Sequence, residues 1–222
     1  MDFGLSFSYV FKDKDWFKKI AIPALCSLIP VVGQFVVSGW GLKATKNVID
    51  GYQENALPEL DFGADLGRGF MAAVITFIYS LPIILLSGLG GLLFSFSQEA
   101  DQTVQTLMGI GGICFGLVGF VLGILIAFLS MAGIANYVAK GNFGAAFKFS
   151  EIFGLIKKSF VSWLLVLVGA MLAFGIIAPL GTIACGIGVL LTSVYGTAIY
   201  SHLLGQAYNQ SAKPSVVDVE PL

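Results

Sequence analysis

Long stretches of apolar residues without charge divide this chain into segments. No Asp, Glu, Lys or Arg occurs in residues 71–98, 102–139 or 159–212. Uncharged apolar runs of this length are typical of membrane helices, because about 20 residues of helix span the hydrocarbon core of a bilayer. The pattern therefore predicts an all-α integral membrane protein.

A short phrase precedes each apolar region. An Asx-Phe-Gly-apolar pattern begins at Asp2, at Asp61 and at Asn142. Asp or Asn just before a helix accepts a hydrogen bond from a free backbone N–H, so each phrase predicts a helix start. Recurrence at the same structural point predicts one membrane domain over residues 1–222 with three repeats. The units cover about residues 2–52, 61–139 and 142–208, and a short polar tail follows at 209–222.

Apolar residues recur at helical spacing after the first and the third phrase. This spacing predicts amphipathic helices that lie in the membrane interface with their apolar faces toward lipid. A face that docks a soluble partner is the competing interpretation, and the neighbouring apolar segments favour the membrane. The predicted interfacial residues are Phe3, Phe7, Phe11, Trp16, Phe149, Ile152, Phe153 and Ile156.

Each repeat continues into a predicted hairpin of two membrane segments. Pro breaks the helical ladder and Gly permits a reversal, so two hairpins are predicted to turn at Pro–Gly pairs. The first hairpin is short, because about 14 residues of helix rise only about 21 Å. It is therefore predicted to be re-entrant or to thin the bilayer. The turn residues are Pro30, Gly33, Pro179 and Gly181, and the segment pairs are Trp16–Ile29 with Val31–Leu42, Met71–Phe94 with Leu107–Tyr137, and Val161–Ile177 with Ile187–Leu204.

The positions of the basic residues decide between two topologies. With three hairpins, all 12 Lys and Arg residues lie on one face, and the opposite face holds Glu99 and Asp101. A single span at residues 20–42 would instead separate the basic residues before it from those after it. Cytoplasmic loops carry the excess of Lys and Arg, so the three-hairpin arrangement is preferred. It predicts six membrane segments with both termini cytoplasmic.

The composition agrees with a membrane protein, since 57% of the residues are hydrophobic and 11% are charged. The formal net charge of -1 gives no basic surplus, so no nucleic-acid partner is predicted. The three cysteines lie far apart inside apolar segments, where they are predicted to act as small buried hydrophobes. They are Cys26, Cys114 and Cys185.

Few side chains could carry chemistry at membrane depth. His202, the sole histidine, shares a helix face with Gln206, which predicts a helix–helix hydrogen bond or an interface anchor, and no metal site or catalytic relay. No catalytic, cofactor-binding or metal-binding residue is predicted, so the protein is expected not to be an enzyme. The polar intramembrane candidates are Gln34, Asn136, His202 and Gln206.

Four glycines lie within an arc of about 60° on one predicted helix. Small residues let another backbone approach closely, which is a main source of helix association in lipid. This helix-packing stripe predicts either a contact within the bundle or a self-association face. It consists of Gly112, Gly116, Gly119 and Gly123.

Several phrases of the chain, from about Phe7 to Tyr208, resemble an uncharacterised prokaryotic membrane family known as domain of unknown function 4013. The resemblance implies a bacterial or archaeal protein of the cell membrane with several helices, and it implies no activity. The phrases are residues 9–16, 47–51, 57–59, 141–147 and 201–206.

The absence of a chemical site and the presence of amphipathic helices favour a non-enzymatic scaffold or complex subunit. Its expected partners are the lipid bilayer and other membrane subunits, including copies of itself. The alternative is a transporter or channel for a small neutral or lipid-like solute. A cavity between the hairpins would favour transport, and a dry, closed core would favour the scaffold.

Overall fold

The computed structural model describes residues 1–97, 101–184 and 187–212, and it is helical. Glu99, Cys185 and the tail beyond Ala212 lie outside the described residues. The α-helices are α1 (Phe3–Lys12), α2 (Trp16–Cys26), α3 (Val32–Ile49), α4 (Phe62–Ser97), α5 (Gln102–Lys140), α6 (Phe149–Lys158), α7 (Phe160–Leu172), α8 (Ala178–Leu180) and α9 (Ile187–Ala212). A 3-10 helix (Phe143–Phe147) precedes α6, a π-helical turn (Ala173–Ile177) joins α7 to α8, and a second 3-10 helix (Gly181–Ala184) follows α8.

Within the described residues, three helical stretches are long and apolar enough to cross a membrane. They are Phe62–Ser95, Gln102–Lys140 and Phe160–Ile183. Their apolar side chains are largely exposed, which suits a protein embedded in lipid and would be costly in water. The all-helical membrane fold is thus supported at this level, and the count of six segments in three repeats stays a prediction.

The three Asx residues of the repeated phrase act as helix caps. Oδ1 of Asp2 accepts from Leu5 N at 2.8 Å, and Oδ1 of Asp61 accepts from Ala64 N at 3.2 Å. The side chain of Asn142 accepts from Gly144 N at 2.8 Å, at the start of the 3-10 helix. The caps predicted from the phrase are therefore present. In the second unit the capped helix continues without a break as α4.

Both ends of the segment formed by α2 and α3 lie together. Lys12, which precedes α2, pairs with Glu54 after α3 at 2.6 Å, and Lys19 Nζ donates to the Leu57 carbonyl at 3.2 Å. The two helices therefore form a hairpin and not one continuous span. α3 also extends to Ile49, beyond the predicted end at Leu42.

The predicted turn residues lie at the helix reversals. Pro30 is in the turn between α2 and α3. At Gly33, a Cβ would lie 2.0 Å from the Cys26 carbonyl oxygen, so the close approach of α2 and α3 requires glycine. Pro179 lies in α8, and a Cβ on Gly181 would lie 2.3 Å from the Gly188 carbonyl carbon. Glycine is therefore needed at both reversals.

Helix α9 lies at the centre of the bundle and packs against α1, α2, α3 and α7. Trp163 of α7 and Leu203 of α9 belong to one buried cluster, and Tyr9 of α1 and Trp40 of α3 belong to a second. In contrast, α4 from Phe77 onward and α5 as far as Leu125 expose most of their large apolar side chains. The bundle thus has a compact part around α9 and a two-helix part with an apolar surface.

The amphipathic helices are more deeply packed than an interfacial position requires. Phe11 and Trp16 are exposed, and Phe149 and Phe153 are each 49% exposed, as an interfacial face needs. Ile152 departs from the prediction, because it is fully buried in the α9 cluster. Phe3, Phe7 and Ile156 are half-buried against the same cluster. One face of α6, and likewise of α1, therefore belongs to the protein core.

The segment between α3 and α4 packs onto the bundle. Trp40 Nε1 donates to the Pro58 carbonyl at 2.9 Å, and Asn47 Nδ2 donates to the Ala56 carbonyl at 3.0 Å. Ala56 and Leu57 are buried. Five of its backbone carbonyls accept hydrogen bonds from side chains of α2, α3 and α9, so this segment has a structural role as well as a connecting one.

Candidate functional site

A groove of about 640 Å³ lies between α3, α4, α5, the π-helical turn after α7, and α9. Its volume is within the range of about 300–1,000 Å³ that is usual for small-molecule sites. None of the described residues that line it is an Asp, Glu, Lys or Arg. The lining residues are Gln34, Phe35, Val37, Ser38, Leu42, Gly69, Ala72, Ala73, Thr76, Phe77, Ser80, Ile134, Phe174, Thr197, Tyr200 and Ser201.

A glycine contact fixes the two helices that form one wall of the groove. A Cβ on Gly39 of α3 would lie 1.8 Å from the Asp65 carbonyl oxygen. A Cβ on Gly69 of α4 would lie 1.7 Å from the Phe35 carbonyl oxygen. The backbones of α3 and α4 therefore touch, as small residues permit in membrane helices. Beside this crossing, polar side chains of α3 and of α4 line the same groove.

A second close contact positions α9. A Cβ on Gly41 would lie 2.7 Å from Ser201 Oγ, and one on Gly205 would lie 2.8 Å from the Thr45 carbonyl oxygen. Thr45 Oγ1 also donates to the Ser201 carbonyl at 3.0 Å. Helices α3 and α9 therefore run side by side in the same direction. Their contact brings Ser201, with Thr197 one turn away, to the floor of the groove.

The groove contains polar groups that the protein itself leaves unpaired. In the described part of the chain, the side chains of Gln34, Ser38, Thr76 and Tyr200 have no protein hydrogen-bond partner. Gln34, Ser38 and Thr76 are exposed and Tyr200 is half-buried, so water or a ligand can reach these groups and satisfy them. The groove can therefore accept hydrogen bonds and donate them, while its walls accommodate apolar chains.

One of the four predicted polar candidates lies in the groove. Gln34 lines it, whereas Asn136, His202 and Gln206 belong to other contacts. Sequence reasoning missed the hydroxyl residues, although their spacing offered a sign. Polar residues recur four positions apart, and hence on one helix face, on three helices. The pairs are Gln34 with Ser38, Thr76 with Ser80, and Thr197 with Ser201.

His202 and Gln206 form a buried polar cluster with α1. His202 Nδ1 lies 2.9 Å from both Ser6 Oγ and Gln206 Nε2, and its Nε2 lies 2.8 Å from the Gln53 carbonyl oxygen. A carbonyl can only accept, so Nε2 carries a proton and Nδ1 accepts. The predicted helix–helix hydrogen bond is thus part of a larger network.

Two further contacts complete that cluster. Gln206 Oε1 accepts from Asp2 N at 2.6 Å, and the Tyr9 ring stacks on the imidazole with centroids 4.3 Å apart. His202 and Ser6 are 0% exposed. A substrate cannot reach this Ser–His pair, and the cluster serves to hold α1 on α9.

Asn136 also has a structural role. Its Nδ2 donates to the Ala145 carbonyl at 2.9 Å and to Glu151 Oε2 at 3.1 Å. Lys140 pairs with the same carboxylate. Hydrogen bonds from Lys140 and Asn136 lower the pKa of Glu151 to about 2. The carboxylate is therefore charged at neutral pH, and it ties α6 to α5.

The glycine stripe of α5 makes looser contacts than expected. Cβ atoms on Gly119 and Gly123 would make ordinary contacts with α4 at 3.7 and 3.5 Å. Cβ atoms on Gly112 and Gly116 would meet nothing within 4 Å. These two glycines instead line an apolar cavity of about 400 Å³ between α4 and α5. The bundle contact predicted for the stripe is present at one end, and the other end is open.

Among the residues that the structure describes, no group of three or more His, Cys, Asp or Glu side chains could hold a metal ion. The polar clusters described above consist of hydroxyl, amide and imidazole groups and of ion pairs near helix ends.

The family described as "Protein of unknown function (DUF4013)" matches residues 22–187. The chain belongs to this family. The match is narrower than the resemblance from Phe7 to Tyr208, since it leaves out α1 and nearly all of α9. It includes the parts of α3, α4 and α5 that line the groove, whereas the His202 cluster lies outside it. No curated protein and no solved structure matches the chain.

Proposed function

We propose that this DUF4013 protein is a multi-pass membrane protein that binds a lipid-like solute in the groove and carries it within the membrane without converting it chemically. The unpaired Gln34, Ser38, Thr76 and Tyr200 side chains support this proposal. A dry packing defect would be lined by apolar groups, because each unpaired polar group costs free energy in lipid. A solute with an apolar body and a few hydrogen-bonding atoms suits these walls.

Access from the bilayer also favours a lipid-like solute. Phe77 and Phe174 line the groove and are 58% and 45% exposed, so its rim lies at the outer surface of the helices. In a membrane this surface faces lipid tails. A solute dissolved in the bilayer could therefore enter sideways, without passing through water.

We place the basic ends of α3 and α5 and the start of α4 at the cytoplasmic face of a prokaryotic plasma membrane, as the excess of Lys and Arg there favours. In a cysteine-free background, Lys46→Cys should react with an impermeant thiol reagent only in inverted vesicles. Gln102→Cys, at the start of α5, should react in intact cells. Labelling of Lys46→Cys from outside the cell would refute this orientation.

Filling the groove should remove the solute. Ser38→Phe combined with Thr76→Phe places one ring on the α3 wall of the groove and one on the α4 wall. We expect native mass spectrometry of the purified double variant to show about tenfold less bound lipid than the wild type, or even less. The two rings would exclude the apolar part of the solute from the groove, and the two polar groups would be lost.

A matched control changes the same residue types on exposed surfaces. Ser87→Phe with Thr106→Phe adds two rings to α4 and α5 outside the groove, so it should retain lipid as the wild type does. Equal lipid retention by the groove variant and the control would refute the proposed function. Thermal unfolding of both variants would show whether the groove variant is folded.

An assembly role is the second candidate function, supported by the exposed apolar surface of α4 and α5 and by the open end of the glycine stripe at Gly112 and Gly116. A scaffold would use this surface to bind copies of itself or other subunits. The same mass spectra decide between the two functions. An oligomer whose lipid retention is unaffected by the groove variant would support the scaffold.

A further inference from the structure

We propose that the bound solute is an anionic phospholipid whose phosphate is held by Lys43, Lys46 and Arg68. This inference rests on the proposed function, because it assigns the head group of the molecule that occupies the groove. The ester oxygens of a phospholipid can accept hydrogen bonds from the groove, and its acyl chains suit the apolar walls. The observation behind it is a second, basic cavity beside the groove.

The basic cavity adjoins the groove along α3, α4 and α5. It has a volume of about 230 Å³ and is lined by Leu42, Lys43, Lys46, Arg68, Tyr137, Val138 and Gly141. Leu42 lines both spaces, and Arg68 is followed directly by Gly69 of the groove. On α5, Ile134 of the groove and Tyr137 of the basic cavity are one turn apart. A molecule with a charged head and an apolar tail could therefore occupy both spaces at once.

The charges of the cavity suit a phosphate. The lining that the structure describes contains no acidic residue. Lys43 Nζ donates to the Glu59 carbonyl at 2.9 Å, which leaves it N–H groups for a ligand, and no described carboxylate pairs with it. A backbone carbonyl does not neutralise the ammonium charge. Lys43 thus supplies positive charge in the basic cavity beside the groove.

Lys46 and Arg68 have acidic partners that lie outside the lining. Lys46 pairs with Asp50, and both side chains are 42% exposed. An exposed pair of this kind contributes little free energy, so the lysine can turn toward a phosphate at small cost. Arg68 pairs with the buried Asp65 and is itself 41% exposed. Its guanidinium has five N–H donors, and those not used by Asp65 can bind a second anion.

The position of the cavity favours a lipid head group over a soluble phosphate ester. Basic pockets between membrane helices on the cytoplasmic side are sites where anionic lipid head groups bind. A soluble ester has no acyl chains and would leave the apolar walls of the adjoining groove uncovered. The shared residue Leu42 makes one occupant of both spaces the simpler arrangement.

The test compares dioleoylphosphatidylglycerol with dioleoylphosphatidylcholine, which have the same acyl chains. We expect native mass spectra of the wild type, in equal amounts of both lipids, to show retention of the anionic lipid. Each basic residue near a membrane surface contributes about 1 kcal/mol, which corresponds to a factor of about five. Lys43→Gln with Lys46→Gln should therefore reduce the preference for the anionic lipid by about 25-fold. Binding of the zwitterionic lipid should change little.

Arg68 is tested separately, because its neutralisation would leave the buried Asp65 without its cation. Arg68→Lys keeps the positive charge beside Asp65 but loses the planar guanidinium with its paired N–H donors. It should therefore weaken the preference for the anionic lipid while the fold stays intact. The control variant Lys14→Gln with Lys157→Gln removes two exposed charges elsewhere and should keep the preference. An equal loss in the control would overturn the proposal, since the effect would then be one of overall charge.

The outcomes separate the two proposals. If the groove variant loses both lipids and the double lysine variant keeps the wild-type preference, the head-group assignment fails and the proposed function stands. If the groove variant retains both lipids, the proposed function fails. Competition by glycerol phosphate, added without acyl chains, should be weak. Strong competition would overturn the assignment to a lipid, because a soluble phosphate ester would then suffice.

Discussion

Replacing Gly69 with Leu should prevent correct assembly of the bundle. A Cβ at this position would lie 1.7 Å from the Phe35 carbonyl oxygen and 2.9 Å from Gly39 N, so backbone and not a flexible side chain is in the way. Helices α3 and α4 would have to separate. We expect the free energy of unfolding to fall by more than about 3 kcal/mol, which exceeds the usual cost of overpacking a core. In detergent, the variant should lose its monodisperse peak in size-exclusion chromatography and its cooperative thermal unfolding.

Gly67→Leu is the matched control. Gly67 lies on the same helix, and a Cβ there would meet nothing within 4 Å. Leu also has the higher helix propensity, so this variant should unfold at the wild-type temperature or above it. If Gly69→Leu and Gly67→Leu behave alike, the crossing of α3 and α4 cannot be as close as described.

The contrast between these glycines shows what sequence could and could not predict. The regular stripe from Gly112 to Gly123 is easy to see, yet it makes loose contacts. Gly39 and Gly69 are single positions on different helices. Which glycine meets a backbone depends on where two helices cross, and one-dimensional periodicity carries no information about that crossing. The helix caps, in contrast, are contacts between residues two or three positions apart, so the sequence alone was enough to predict them.

The groove was predictable in part. Gln34 could be predicted as a polar intramembrane candidate, because an amide is unusual in an apolar segment. Single Ser and Thr residues are common in membrane helices and do not stand out in the sequence. Ser38 and Thr76 become notable once the fold brings α3 and α4 together and leaves both hydroxyls without a protein partner. The basic cavity was hidden for a similar reason. In the sequence, Lys43 and Arg68 only mark the predicted cytoplasmic face, and their convergence on one cavity depends on the tertiary structure.

His202→Leu should destabilise the protein without changing lipid retention. The imidazole lies within hydrogen-bonding distance of Ser6, Gln206 and the Gln53 carbonyl, and it is 0% exposed. Leucine would leave the Gln53 carbonyl, which accepts from the imidazole, without this partner. It would also remove one acceptor from Ser6 and Gln206, which would keep the Asp2 carbonyl. Each buried polar group left unpaired costs about 1–3 kcal/mol, so we expect a clear fall in the thermal unfolding temperature.

Ser8→Ala is the control for the loss of stability, and lipid retention is measured on both variants. Ser8 is exposed on α1 and bonds only within its own helix, to the Gly4 and Leu5 carbonyls, so its loss should be nearly neutral. The groove lies on a different side of α9 from the cluster, and its unpaired groups remain in the His202 variant. Lipid retention measured below the unfolding temperature should therefore equal that of the wild type. A His202→Leu protein that is fully stable but no longer retains lipid would mean that the histidine serves the site and not the packing of α1 on α9.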